Sequence, residues 1–368
     1  LLSGLLMLAC APKLQPKVPK SDFKKNIPLV SVLIPAHNEG QHLKASLQSL
    51  LNQDYPNLEI LVINDRSQDE TPNIIEHFAG KFACCRGVNI KTVPDDWLGK
   101  PHALQQGLKQ AKGEYCLLTD ADVVHAPWVI SATVAMCQAK QLDYCTVAPN
   151  ITPATRVLSW FMPFLAYVLY LTLHPWRMNT RACYKATGIG AFIVVKTTLL
   201  QQTDALRAVA LDPIDDLGIA TAISLKSQNG AFVLGEEAIT LDWYPSLLAL
   251  AKGLEKNLYR QSNYSLIQFF FGLLALLICI LSPLLLLLVG SPVLTNIAIA
   301  ILAIRFCSFL LQPRTSWLRK TVAYVLHPVS VLVFACIAIR AVVLAEKRQA
   351  ISWGGVVHSL KKLRAFIK

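Results

Sequence analysis

The sequence predicts an α/β domain built on a mostly parallel, twisted sheet with helices on both faces, followed by transmembrane helices. Three observations carry this expectation. Short β-rich runs alternate with helix-length segments through residues 29–122. Those runs are nearly continuous in Val, Ile and Leu, as in strands covered on both faces. From Tyr264 onward the chain becomes a succession of long apolar stretches with few charges.

Residues 1–12, "LLSGLLMLACAP", read as the remnant of a membrane anchor, and 13–28 as a Pro- and Lys-rich linker. Strands are expected at 29–36, 58–65, 89–94 and 115–122, with helical spacing at 41–52, 71–79 and 101–112 between them. Such alternation implies right-handed crossovers and parallel pairing. Further strands are expected at 143–149, 190–196 and 231–241, so the domain runs over 29–245. The apolar segment 157–177 lies between β-like runs that must share one domain, and a single crossing would separate them. An in-plane interfacial helix rich in Trp and Tyr avoids the contradiction. A second interfacial helix is expected at 246–263, then about three transmembrane helices over 264–345 and a basic tail at 346–368. Arg314, Arg319 and Lys320 mark a cytoplasmic loop, so three complete spans leave the tail outside, against the positive-inside tendency, unless one run fails to cross.

Apolar residues make up 54% of the chain, above the roughly 45–50% of soluble domains. The net charge of +12 is carried by residues 246–368, which hold 14 Lys and Arg against 2 Asp and Glu. Charge confined to the apolar region and its flanks implies contact with anionic membrane lipids. No aromatic–basic interleaving points to nucleic acid. Ten cysteines without a CxxC pair exclude a zinc ribbon and suit a reducing compartment.

The stretch "TDADVVHAP" (119–127) sets Asp120 and Asp122 on one side of an expected strand end. Ligands of open α/β sheets gather at that edge. Three other strand ends add polar groups: "PAHNE" with Pro35, Asn38 and Glu39; "NDRSQDE" with Asp65; and "DDWLGKPHAL" with Lys100 at a helix start. Each has a bland reading as turn, cap or surface residue. Together they supply what a nucleotide diphosphate needs, namely acceptors for a base, a cation for phosphate and carboxylates for a divalent metal. His37, His102 and His125 lack metal-ligand spacing and read as surface or supporting residues. Arg305 and Arg340, inside apolar runs, read as headgroup-binding or snorkelling, Arg340 as snorkelling.

In order and spacing, "VSVLIPAHNE", "ILVINDRSQDET", "GKPHALQQG" and "LLTDADVVHAPW" resemble the motifs of the family 2 inverting glycosyltransferases of GT-A fold. The likeness covers roughly 29–245, and "PDDWLGKPHAL" and "HPWRMNTR" before "GIGAF" are most similar to the bacterial hopene-associated members. The resemblance implies nucleotide binding by Pro35, Glu39, Asp65, Lys100 and Asp120. It makes Asp122, with Asp120, the ligands of Mg²⁺ or Mn²⁺. In "LDPIDDLGIATAI" it makes Asp216 the base that deprotonates the acceptor; a helix cap is the alternative reading for both aspartates, and for Asp215 above all. Gly188, Gly190, Asp215 and Lys256 fall on the acceptor side. The chain departs from many membrane relatives in lacking a Gln/Arg-x-x-Arg-Trp signature after the base. Single-sugar transfer from a nucleotide sugar, UDP-linked, to a lipid acceptor such as a hopanoid is therefore expected over processive polymer synthesis. The implied location is the bacterial inner membrane, with the catalytic domain facing the cytoplasm. A catalytically silent membrane scaffold of the same fold is the rival from another class.

Overall fold

The computed structural model describes residues 12–15, 27–179, 186–310, 317–353 and 356–367. The anchor remnant expected at 1–12 lies, apart from Pro12, outside the described residues. The chain divides into two compact units, one from Ala11–Thr152 and Pro175–Asp242, the other from Pro153–His174 and Trp243–Lys368.

The first unit carries strands β1 (Val30–Ala36), β2 (Leu58–Asp65), β3 (Cys85–Ile90), β4 (Tyr115–Leu118), β5 (Val124–His125), β6 (Tyr144–Ile151), β7 (Ile193–Lys196) and β8 (Gly230–Leu241). Its helices, numbered along the whole chain, are α1 (Leu43–Leu51), α2 (Thr71–Lys81), α3 (Gly99–Leu108), α4 (Val129–Ala139), α6 (Thr197–Gln202), α7 (Ala205–Ala208) and α8 (Asp215–Ser224). The sheet order is β3-β2-β1-β4-β7-β6-β8-β5. The first four strands are parallel, with Leu33 of β1 beside Leu61 of β2 and Leu118 of β4. The side chains of Val32, Leu33, Leu61, Val62 and Leu117 are fully buried, which is why these strands read as apolar runs rather than alternations. The chain winds outward from β1 through β2 to β3, then returns to place β4 on β1's other side. The edge where these strands end is thus a topological switch point, where crevices open.

Several local expectations shift. β7 runs antiparallel to β4 and β6, and β5 antiparallel to β8, so the far half of the sheet is mixed. β3 lies at 85–90 rather than 89–94, because Ile90 already pairs with Asp65, the last residue of β2, and later residues have no strand beside them. β7 begins at Ile193, which leaves Gly190 in the preceding loop. Lys13, expected in a free linker, bridges in parallel to Leu234 and pairs with Glu236 at 2.9 Å. Its segment adds to the stretch of β8 that β5 leaves uncovered.

The second unit contains α5 (Arg156–Leu173), α9 (Leu247–Arg260), α10 (Leu266–Leu288), α11 (Pro292–Leu310), α12 (Trp317–Val325), α13 (His327–Arg348), a hairpin of β9 (Ala350–Trp353) and β10 (Val356–Ser359), and α14 (Leu360–Ile367). Phe164, Leu250, Leu254, Ile280, Val331 and Phe334 form a core that joins α5, α9, α10 and α13. α5, α10 and α13 are long and apolar enough to cross a membrane, and α11 is apolar over Pro292–Cys307. On α10, Phe271 is 69% exposed and Leu288 82%, a surface suited to lipid rather than water.

Three sets of contacts bear on the charged residues of this unit. Arg364 of the tail donates to the Tyr264 carbonyl at 3.2 Å and to the Tyr259 hydroxyl at 3.1 Å, and pairs with Glu346. The tail therefore sits at the end of the unit where α10 starts, and in a bilayer this allows only an even number of complete crossings between them. Arg340, its side chain 41% exposed, pairs with Glu255 of α9. Arg305 is buried and donates to the carbonyls of Ile280 and, at 2.5 Å, Cys279 on α10. The cause lies at Pro283, inside α10, which has no N–H for the carbonyl four residues before it, that of Cys279. An unbonded carbonyl in an apolar phase is costly. Removing Arg305 (Arg305→Met) should destabilise the protein in detergent by about 1–3 kcal/mol. The loss should shrink when Pro283→Leu restores the missing N–H, as read in a double-mutant unfolding cycle.

Candidate active site

The site is assembled from loops at the switch-point edge. After β1, Asn38 takes a left-handed conformation (φ 58°), which asparagine tolerates better than most residues. The Glu39 N–H donates to the Thr71 hydroxyl (2.8 Å), and Gly40 N–H to Asp69 Oδ2 (2.8 Å). Asp69 also accepts from Thr71 N–H at 3.0 Å, so the turn-and-cap reading holds for this carboxylate. These bonds stitch the loops after β1 and β2 together and fix where Glu39 stands. Pro35 lies within β1, beside Ile63. Asp65 ends β2 almost fully buried, with Arg66 folded back on it at 2.8 and 3.3 Å. Gly99 opens α3 directly against the Asp65 carboxylate, where any Cβ would overlap it.

One residue further, Lys100 joins two chain segments. Its Nζ lies 2.7 Å from Asp120 Oδ1, beyond β4, and 3.3 Å from Asp215 Oδ2, in the first turn of α8. Asp216 follows in that turn. Its Oδ2 accepts the Gly190 N–H at 3.0 Å and its Oδ1 the Leu217 N–H at 2.8 Å. The loop before β7 can approach this closely because Gly188 and Gly190 carry no side chain. A Cβ on Gly190 would lie 2.9 Å from Asp120 Oδ2 and 3.1 Å from Lys100 Nζ, and one on Gly188 would strike the Asp216 carbonyl.

The expected residues Glu39, Lys100, Asp120, Asp122, Gly188, Gly190, Asp215 and Asp216 thus meet in one neighbourhood, with Asp65 beside the start of α3. Lys256 lies on α9 of the other unit. Residues 31–209 match the family described as Glycosyl transferase family 2. The chain carries a glycosyltransferase family 2 domain. Its mixed α/β sheet is the GT-A-like architecture expected from the sequence.

The family 2 domain aligns with a poly-beta-1,6-N-acetyl-D-glucosamine synthase of Staphylococcus epidermidis at 38% identity over 95 residues, 26% of this chain and 22% of that protein. A longer alignment, 24% identical over 269 residues, covers 66% of this chain and 56% of a beta-monoglucosyldiacylglycerol synthase of Trichormus variabilis. The chain spans only about a fifth to a third of the length of the first curated relatives it matches. Among solved structures, mannosyltransferase PcManGT from Pyrobaculum calidifontis, with GDP-Man and Mn²⁺, superposes with a TM-score of 0.48 at 18% identity, covering 88% of this chain and 94% of that one.

Electrostatics set the character of the domain's crevice. Burial, then the negative charges of Asp122 and Asp120, push the Glu39 carboxyl up to about 7. Burial and Asp120 push Asp122 to about 6; burial and Asp215 push Asp216 to about 6. Burial alone would lower Lys100, but Asp120, Asp215 and Asp216 outweigh it and hold the amine well above its ordinary value. Among the described residues no three His, Cys, Asp or Glu side chains converge to hold a metal unaided. The crowded pair Asp120 and Asp122 nevertheless fits a divalent cation of the Mg²⁺ kind, which takes one or two carboxylates and fills its shell with phosphate and water.

Sequence reasoning missed the ion pairs that brace the site. Arg207 of α7 pairs with Asp96 at 2.6 Å and lies 5.2 Å over the Trp97 ring, while Leu98 N–H donates to Ala210 O at 2.6 Å. This clip ties the approach to Lys100 to the turn that leads into Asp215. No periodicity or motif signals it, since its halves lie over a hundred residues apart. His125 is a core residue between Ser49 and Thr119, at 3.3 and 3.1 Å, and burial lowers it to about 3.

Glu39, Asp122 and Asp216 hold protons more readily folded than unfolded. The stability they contribute is complete below their ordinary values near 4 and is lost as pH rises through about 6 to 7. The melting temperature should fall over that interval without added metal. Glu39→Gln should lose about 2–6 °C less than the parent, as followed by differential scanning fluorimetry.

Proposed function

We propose that the protein is a membrane-bound inverting glycosyltransferase. It moves one sugar from a nucleotide sugar, with UDP as carrier, to the hydroxyl or carboxyl of a lipid acceptor. The observation that carries this reading is the Lys100 junction, where groups suited to a diphosphate and a candidate base share one crevice of a family 2 domain. Glu39 and Asp65 are assigned to the nucleoside, Pro35 to the wall beneath it, and Lys100 to the diphosphate. Asp122, with Asp120, would hold Mg²⁺ or Mn²⁺. When bound, the cation offsets the charge that grows on the departing nucleoside diphosphate.

Asp216 is assigned the proton of the acceptor. As the acceptor oxygen bonds to the anomeric carbon, its proton passes to the Asp216 carboxylate, and the bond to the diphosphate breaks on the opposite face. A carboxyl raised to about 6 suits this task, because it is basic enough to accept a proton yet ionised at neutral pH. The Gly190 and Leu217 N–H groups hold it in place. Gly188, Gly190 and Asp215 form the acceptor side, and Lys256 is assigned to lipid headgroups.

The exposed apolar helices and the glycolipid-synthase relative favour a lipid acceptor, and the resemblance of "PDDWLGKPHAL" makes a hopanoid the first to try. The polysaccharide-synthase relative favours processive polymerisation as a second reading. The missing Gln/Arg-x-x-Arg-Trp signature weighs against it. The proposed orientation places the transfer domain on the cytoplasmic face of a bacterial inner membrane, where nucleotide sugars are made.

With labelled UDP-sugar and membranes, Asp122→Ala and Asp216→Ala should each lower transfer into lipid at least about 10²-fold; full activity in either variant breaks the assignment. Transfer should decline on the acid side with an apparent pKa near 6, the value of Asp216, and this limb should be lost in Asp216→Asn along with most of the rate. A ladder of product sizes, in place of a single glycolipid, would decide for the polymerase.

A further inference from the structure

Glu39, Asp120, Asp122, Asp215 and Asp216 stand around one crevice, and among the described residues the ion pairs give them a single cation, Lys100. The neighbouring arginines are committed elsewhere, Arg66 to Asp65 and Arg207 to Asp96. Lys100 is largely buried, its side chain 24% exposed. It covers Oδ1 of Asp120, while Oδ2 of the same carboxylate faces the Cα of Gly190. A divalent ion that takes Asp120 and Asp122 as ligands therefore meets a carboxylate already neutralised by an ammonium group 2.7 Å away.

We propose that Lys100 is an internal stand-in for the divalent cation, holding Asp120 until the ion arrives and releasing it on binding. The inference rests on the cation site proposed above and adds how that site is kept and loaded. Without a positive charge, five carboxylates in a poorly solvated crevice would repel one another. With Lys100 fixed there, the crevice stays assembled before any ligand binds. The same ion pair makes the resting site a weaker competitor for free metal, because the ion must displace an existing partner. Once displaced from Asp120, Lys100 keeps Asp215 as its neighbour and can offer donors to phosphate oxygens. A nucleotide diphosphate thus compensates the lysine for what the metal removes. Cation and nucleotide then bind with positive coupling, each raising affinity for the other equally.

The test uses the full-length protein in detergent, with Mn²⁺ as probe and no nucleotide, and reads free Mn²⁺ by electron paramagnetic resonance. Lys100→Met should bind Mn²⁺ about 5–10-fold tighter than the parent, since a competing positive charge is gone. Unchanged or weaker binding overturns the proposal, as does absence of Mn²⁺ binding in both. Should Lys100→Met fail to fold, the parent protein decides alone. Mg²⁺ should speed acetylation of the Lys100 amine several-fold, read by mass spectrometry against other lysines, and an equal or slower rate overturns it. The two readings fail separately. Metal-released Lys100 without any sugar transfer leaves the inference standing and removes the transferase, whereas transfer with unchanged Mn²⁺ affinity does the reverse.

Discussion

The arrangement depends on a balance of charge at the end of the parallel strands, where several carboxylates crowd into one crevice around the Lys100 ammonium. Two of its partners arrive from distant parts of the chain, Asp120 beyond β4 and Asp215 at the start of α8. The sheet makes this possible. Because β4 lies on the far side of β1 from β2, the loops after all three strands open into the same crevice. Because β7 runs antiparallel to β4, its preceding glycine loop enters from that same edge. Carboxylates held this close in partial burial are forced toward protonation, and the Lys100 ammonium offsets part of that repulsion.

Around this centre, the supports are directional. The paired loops after β1 and β2 orient Glu39, with Asp69 spent on backbone N–H groups rather than on a ligand. Gly99 lets α3 begin against Asp65, and the Asp96–Arg207 contact holds the segment before Lys100 to the turn before Asp215. The glycines at 188 and 190 are there for clearance, since any side chain would collide with Asp216 or Asp120. Each support acts on a charged group through a second residue, so its effect is on geometry before chemistry.

The apolar unit obeys a different constraint. Where water is scarce every backbone carbonyl needs a donor, and Arg305 supplies two where Pro283 leaves a gap in α10. The acidic residues of its C-terminal stretch, Glu255 and Glu346, are each matched to an arginine. The excess of Lys and Arg over Asp and Glu in that stretch suits contact with anionic lipid.

Local pattern alone determined much of this protein. The apolar runs of β1, β2 and β4 foretold a doubly covered sheet, because burial on both faces leaves no alternation to see. The polar residues closing each run foretold the crevice, and the long uncharged stretches foretold the lipid-suited helices. The edge strand β3, with its weaker alternation and Gly87, was displaced by four residues because only pairing with β2 sets its register. Tertiary structure alone decided that Lys100 holds Asp120 and Asp215, that Arg207 reaches Asp96, that Arg340 pairs with Glu255, and that Arg305 turns inward. It likewise decided that the tail returns to the end where α10 begins. These are contacts between segments far apart in the chain. Their energies come from distances that no spacing within one segment encodes.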